Sequence, residues 1–153
     1  MQFAPDQERA ARELARVCRP GGRIGLASPI PQGWSGDFFA THARYAPPPP
    51  GVPPPLRWGT DGGVSTLLGG SARSINSRRC RALQYYRSVE HALEVFRTSF
   101  GPTIRALETI DQDAQQQLLT DLEQVFTRYN RATDGSAIIE NTYLETVVTR
   151  EQP

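Results

Sequence analysis

The chain has 153 residues, 38% of them hydrophobic and 22% charged, with a formal net charge of +1; that is room for one domain with a buried core. Near-neutral charge gives no electrostatic case for nucleic acid or an anionic membrane, and no run of about 18 apolar residues is present to span a bilayer. The opening Met-Gln-Phe-Ala-Pro-Asp lacks the basic-then-apolar order of a secretory signal, and Cys18 and Cys80 lack metal-ligand spacing, so a cytoplasmic protein with reduced thiols is expected.

Pro5 to Cys18 reads as the first helix. Pro5 suits a first turn, Asp6 and Glu8 lie where the helix dipole favours anions, and Arg12, Arg16 and Arg19 gather at the other end. Ala10, Leu14 and Val17, with Ala11 and Cys18, form its apolar stripe. Pro20-Gly21-Gly22 then breaks the helix, because proline cannot continue it and the glycines accept a sharp reversal. Arg23 to Ser28 is a short strand that alternates poorly and is mostly apolar, as a strand covered on both faces would be. A helix feeding a buried strand through a tight turn is half of an α/β parallel-sheet unit.

Pro29-Ile-Pro-Gln-Gly33 is a loop, and Trp34 to Tyr45 a short helix with Phe38, Phe39 and Ala43 as apolar positions. The proline-rich stretch Pro47 to Pro55 is expected to be extended or polyproline II, serving as a stiff crossover or as a PxxP ligand for an aromatic groove. Thr60 or Asp61 can cap a weak helix ending at Leu68, which Gly62 and Gly63 should leave short or frayed, each costing about 1 kcal/mol relative to Ala. Ser71 to Arg87 is a long strand whose arginines (73, 78, 79, 81 and 87) form a solvated face. Ser88 caps a helix carrying Val89, Ala92, Leu93, Phe96 and Phe100; Gly101-Pro102 starts another; and Asp111 or Asp113 opens an amphipathic helix to Asn130. After the turn at Thr133 to Ser136, Ala137 to Thr149 closes the chain as a strand.

Catalytic chemistry is sparse. No nucleophile turn accompanies the two histidines, His42 and His91, and each is expected to lie at the surface or make a satisfied polar contact. There is neither a G-x-G-x-x-G nor a P-loop, and Gly21-Gly22-Arg-Ile-Gly25 precedes its strand instead of following it.

Glu8 to Ser28, which includes Val17-Cys-Arg-Pro-Gly-Gly22, resembles the helix, Pro-Gly-Gly turn and fifth strand of class I S-adenosylmethionine-dependent methyltransferases. It is similar in particular to the small-molecule branch related to the ubiquinone/menaquinone biosynthesis enzymes. The similarity continues through Tyr45 to Gly59, Tyr86 to His91, Val95 to Thr98, Gly101-Pro102 and Tyr143 to Arg150. It implies an α/β, partial Rossmann-like methyltransferase fold of about three strands, with the last strand inserted antiparallel between the other two. Residues 1–153 would be a single partial domain, the C-terminal half, without the Gly-rich loop and acidic residue that grip the methyl donor. S-adenosylmethionine is the cofactor of the intact family, but tight binding by this chain is not expected. Proline at 29 and 31, and glycine at 62 and 63, depart from the family pattern.

The resemblance further implies an acceptor side built from Phe3, Ser28, Trp34, Phe38, Trp58 and His91, with the aromatic rings excluding water and His91 as the candidate base. The edge of Arg23 to Ser28 that meets the family's fourth strand would be open, available to a second copy or to an N-terminal half. The alternative is a non-catalytic interaction module that uses this edge or Pro47 to Pro55.

Overall fold

The computed structural model describes residues 2–152. Six α-helices and three strands follow one another as α1 (Gln7–Val17), β1 (Arg23–Pro29), α2 (Gly33–Tyr45), α3 (Asp61–Leu68), β2 (Ala72–Tyr86), α4 (Val89–Ser99), α5 (Gly101–Thr109), α6 (Gln112–Tyr129) and β3 (Ala137–Arg150), with a short 3-10 helix at Pro55–Gly59. The sheet has the order β1-β3-β2 and is antiparallel, so β1 and β2 run the same way on either side of β3. Along the ladder Ile24 faces Val148, Leu26 faces Thr146 and Ser28 faces Leu144.

The helices start where capping chemistry sets them. Asp6, Thr60, Ser88 and Asp111 each accept a hydrogen bond from a backbone N–H in the first turn of α1, α3, α4 and α6. α1 buries Gln7, Ala11 and Ala15, with Leu14 and Cys18 alongside, whereas Val17 is 67% exposed, so the stripe lies one position away from the expected one.

The chain forms two compact units. The first comprises residues 1–31, 50–81 and 142–153, the second residues 32–49 and 82–141. In the first, α1, α3 and one sheet face enclose a core of Ala11, Ile24, Ile30, Trp58, Val64, Leu68, Leu144 and Val148. In the second, α2, α4, α5 and α6 enclose an aromatic core around Trp34, Phe38, Phe96 and Phe126. Edge and stacked ring pairs of this kind contribute roughly 0.5–1.5 kcal/mol each beyond their buried area.

Expectations for β1, the proline-rich stretch and Ala43 are corrected, and that for α3 in part. β1 is not covered on both faces: Ile24 and Ser28 are buried, while Gly25 and Ala27 on the other face are exposed. Its apolar composition reflects small residues, not burial. The proline-rich stretch is not continuously extended, because Pro50-Gly51 forms a turn with Gly51 at φ 83° and Pro55 enters the 3-10 helix. α3 is short, as expected, at eight residues, but its glycines do not fray it, since Thr60 caps it and a Cβ at Gly63 would lie 2.0 Å from the Arg57 carbonyl oxygen. Glycine at 63 is what lets the 3-10 helix and α3 approach. Ala43 is also exposed, leaving Phe38 and Phe39 to α2's packed face.

Candidate functional site

Phe3, Ser28 and Trp58 belong to the first unit, and Trp34, Phe38 and His91 to the second. Phe3 is half exposed. Ser28 is buried at the carboxyl end of β1, opposite Leu144. Trp58 is a core residue, and its indole N–H has no hydrogen-bond partner among the described residues. The Gly59 backbone that follows lies so close to Pro29 that a Cβ there would be 1.8 Å from the Pro29 carbonyl oxygen. The 3-10 helix therefore packs directly on the last residue of β1.

In the second unit Trp34 and Phe38 are brought together, stacked with centroids 4.9 Å apart. Phe96 and Phe126 close around both rings. These side chains are core, and the Trp34 N–H, like that of Trp58, is unpartnered among the described residues. Ser35, one residue on, donates to Asn141 at 2.7 Å.

The histidines separate into distinct roles. His42 is buried, with Nδ1 2.8 Å from the Phe38 carbonyl oxygen and Nε2 2.9 Å from the Thr103 hydroxyl. A carbonyl only accepts, so Nδ1 carries the proton and Nε2 accepts from Thr103. Burial lowers the His42 pKa below its ordinary 6.5, despite the hydrogen bond to Phe38. The unfolded chain therefore takes up a proton that the folded chain resists, and stability must fall as pH drops below about 6.5. A thermal-melting series from pH 8 to pH 5 is expected to show this decline, and His42→Gln to flatten it. A flat wild-type profile over that range would sink the assignment.

His91 sits at the start of α4, where Ser88 caps its backbone N–H. Its Nδ1 accepts from the Arg87 backbone N–H at 3.3 Å. In the neutral ring this leaves the proton on Nε2, so the imidazole presents a donor there and not a base.

Sequence spacing revealed none of the polar ties that span the helices of the second unit. Arg128 and Tyr129 both donate to Asp37, at 2.9 Å each. Tyr45 donates to Asp121 at 2.6 Å, and that hydrogen bond to a carboxylate raises the phenol's pKa. In the first unit Arg78 donates to Glu145 at 2.6 Å across β2 and β3, and beside them the Cys80 sulfur pushes up the Tyr143 phenol. Partners 76 residues apart (Tyr45 and Asp121) or 91 apart (Asp37 and Arg128) carry no local signature, so only the fold reveals them.

Among the described residues no group of three or more His, Cys, Asp or Glu side chains could hold a metal ion. Nor is any helix among them long and apolar enough to cross a membrane. Of the proline-rich segment, Pro54 offers its carbonyl to Gln7 Nε2 at 3.2 Å, which ties that end to α1.

No protein-family model matches the sequence. The chain is similar to an uncharacterized protein of Mycobacterium tuberculosis strain H37Rv, 33% identical over 146 residues covering 94% of this chain and 53% of the relative. An uncharacterized Mycobacterium bovis protein matches to the same extent. A second uncharacterized H37Rv protein is 32% identical over 125 residues, 80% of this chain and 46% of the relative. The chain thus spans about half the length of the curated relatives it matches.

Proposed function

We propose that this chain is the C-terminal, acceptor-side portion of a class I S-adenosylmethionine-dependent methyltransferase acting on a small molecule. The observation that carries the reading is the sheet order β1-β3-β2, in which the last strand lies antiparallel between two strands that run the same way. A parallel pair needs a crossover, supplied here by α2, the proline-rich stretch and α3. The inserted antiparallel strand is the arrangement that the sequence resemblance implies for a partial Rossmann-like fold.

The described residues do not fit the methyl donor. Donor sites in open α/β sheets lie beyond the carboxyl ends of strands, where a glycine-rich turn lets backbone approach the ligand. The carboxyl end of β1 instead runs into Pro29-Ile30-Pro31 and is covered by the backbone of Gly59. The reading leaves the chain a contribution on the acceptor side, for which the second unit offers the Nε2–H of His91 as a hydrogen-bond donor.

Calorimetric titration of S-adenosylmethionine into the 153-residue chain is expected to give no saturable heat. Adding the polypeptide that makes up the unmatched part of the 33%-identical Mycobacterium tuberculosis relative should restore one donor site per complex. Stoichiometric binding to the chain alone would overturn the assignment of the donor site elsewhere. A stable complex without donor binding would overturn the methyltransferase reading itself.

A further inference from the structure

We propose that His42 and Thr103 form an acid-sensitive latch: a proton on the His42 ring releases α5 from α2 while the rest of the second unit stays folded. The proposal concerns the second unit alone and does not rest on the methyltransferase reading. It asks more than the melting series above. Any buried neutral histidine lowers global stability in acid, whereas a latch opens one helix first.

α5 is the helix of this unit built to let go. It has nine residues, no side-chain cap at its start, and buries just Thr103 and Ala106. By contrast α6 starts behind the Asp111 cap and buries Leu118, Leu122, Val125 and Phe126. The carboxyl end of α5 is tied to α6, where the Gln115 side-chain amide donates to the Leu107 and Ile110 carbonyls. At its amino end the side-chain tie is the Thr103 hydroxyl, 0% exposed, on His42 Nε2 at 2.9 Å. Phe100, just before α5, accepts from the Thr103 and Ile104 N–H groups, and its ring meets Phe96 at 5.1 Å and Phe38 at 5.6 Å. Movement of this first turn therefore pulls on the aromatic cluster.

Protonation reverses the chemistry of the tie. Nδ1 already donates to the Phe38 carbonyl, so a second ring proton goes to Nε2 and makes it a donor aimed at the Thr103 hydroxyl. The hydroxyl can turn round to accept, but the positive charge remains buried beside the Phe38 ring, and an unpaired buried charge is strongly disfavoured. The carboxylates of the helices around this core are committed elsewhere. On α2, Asp37 takes Arg128 and Tyr129, while Arg44 and Tyr45 turn to Asp121 of α6. On α4, Glu90 and His91 are held at the helix start and Glu94 pairs with Arg97; on α5, Arg105 pairs with Glu108. Asp113 and Glu123 of α6 are exposed. Burial and the Phe38 carbonyl are the influences that act on the His42 ring. Water reaches the charge most readily by displacing the weakest helix that covers it, which is α5.

Hydrogen exchange on the full chain tests the latch, expressed as protection factors so that the intrinsic effect of pH is removed. At pH 7.5 the amides of Arg105, Ala106 and Leu107 are expected to be at least about tenfold less protected than those of Leu122 and Val125, because α5 opens on its own. Between pH 7.5 and pH 5 the protection of α5 should fall by about three- to thirtyfold, the range open to a histidine that titrates near 6.5 only once α5 has opened. His42→Gln should hold the protection of α5 constant over the same range, with His42→Leu as the second variant if the first does not fold. Equal protection of α5 and α6 throughout overturns the latch, as does protection of α5 that ignores pH in the wild type. A folded variant at position 42 whose α5 still responds to acid overturns it too. The wild-type comparison decides even where neither variant folds.

Discussion

Phe38→Ala is expected to cost about 3–5 kcal/mol, a large share of the roughly 5–15 kcal/mol that holds a domain of this size together. Phe38 is 1% exposed. Its ring meets His42 at 4.5 Å, Trp34 at 4.9 Å, Phe96 at 5.1 Å and Phe100 at 5.6 Å between centroids. Truncation removes the transfer energy of the ring and leaves a void bounded by large rigid groups that cannot collapse into it. The His42 hydrogen bond is to the Phe38 backbone, so the loss belongs to packing and not to that bond. Urea denaturation should show a lower midpoint at unchanged slope, with faster amide exchange in α2 and α6. A loss below about 1 kcal/mol would mean the cluster is far more plastic than close-packed interiors allow.

The second large effect concerns two glycines of opposite character. At Gly59 an added methyl would stand 1.8 Å from the Pro29 carbonyl oxygen and 2.6 Å from its carbon, both backbone atoms that no rotamer change can move. Gly59→Ala must push the 3-10 helix off the end of β1, with Trp58 beside it, at a cost of about 3 kcal/mol. Gly62, near the start of α3, has open space where its Cβ would go. Gly62→Ala is therefore expected to stabilise by about 0.5–1 kcal/mol through reduced freedom of the unfolded chain. Thermal melts of the two variants side by side check the pair. Equal effects would refute the close approach at Pro29.

Much of the fold could be read from sequence because it is locally encoded. Ser88 and Asp111 stand where capping chemistry requires them and mark the starts of α4 and α6, whereas α1, expected from Pro5, begins at Gln7 with Asp6 as its cap. The long strand and the closing strand were legible from their β-formers and bounding turns. β1 misled because composition cannot distinguish a strand apolar through burial from one apolar through small residues. Gly63 misled for a related reason: propensity counts its cost in a helix, while only the fold reveals the Arg57 carbonyl that excludes any side chain. Of the candidate site, the stacking of Trp34 on Phe38 follows from helical spacing. The pairing of His42 with Thr103, on another helix, does not. Nor does the tautomer of His91, which depends on where the Arg87 N–H points.

The position of β3 bears on how the molecule is made. It is the middle strand of the sheet, yet it is synthesised after both of its neighbours. A nascent chain on the ribosome carries β1 and β2 with no ladder between them until residues 137–150 emerge. Through that interval β1 and β2 both lack the partner that the folded sheet gives them. Translation rate and chaperone supply are therefore expected to affect the yield of native protein.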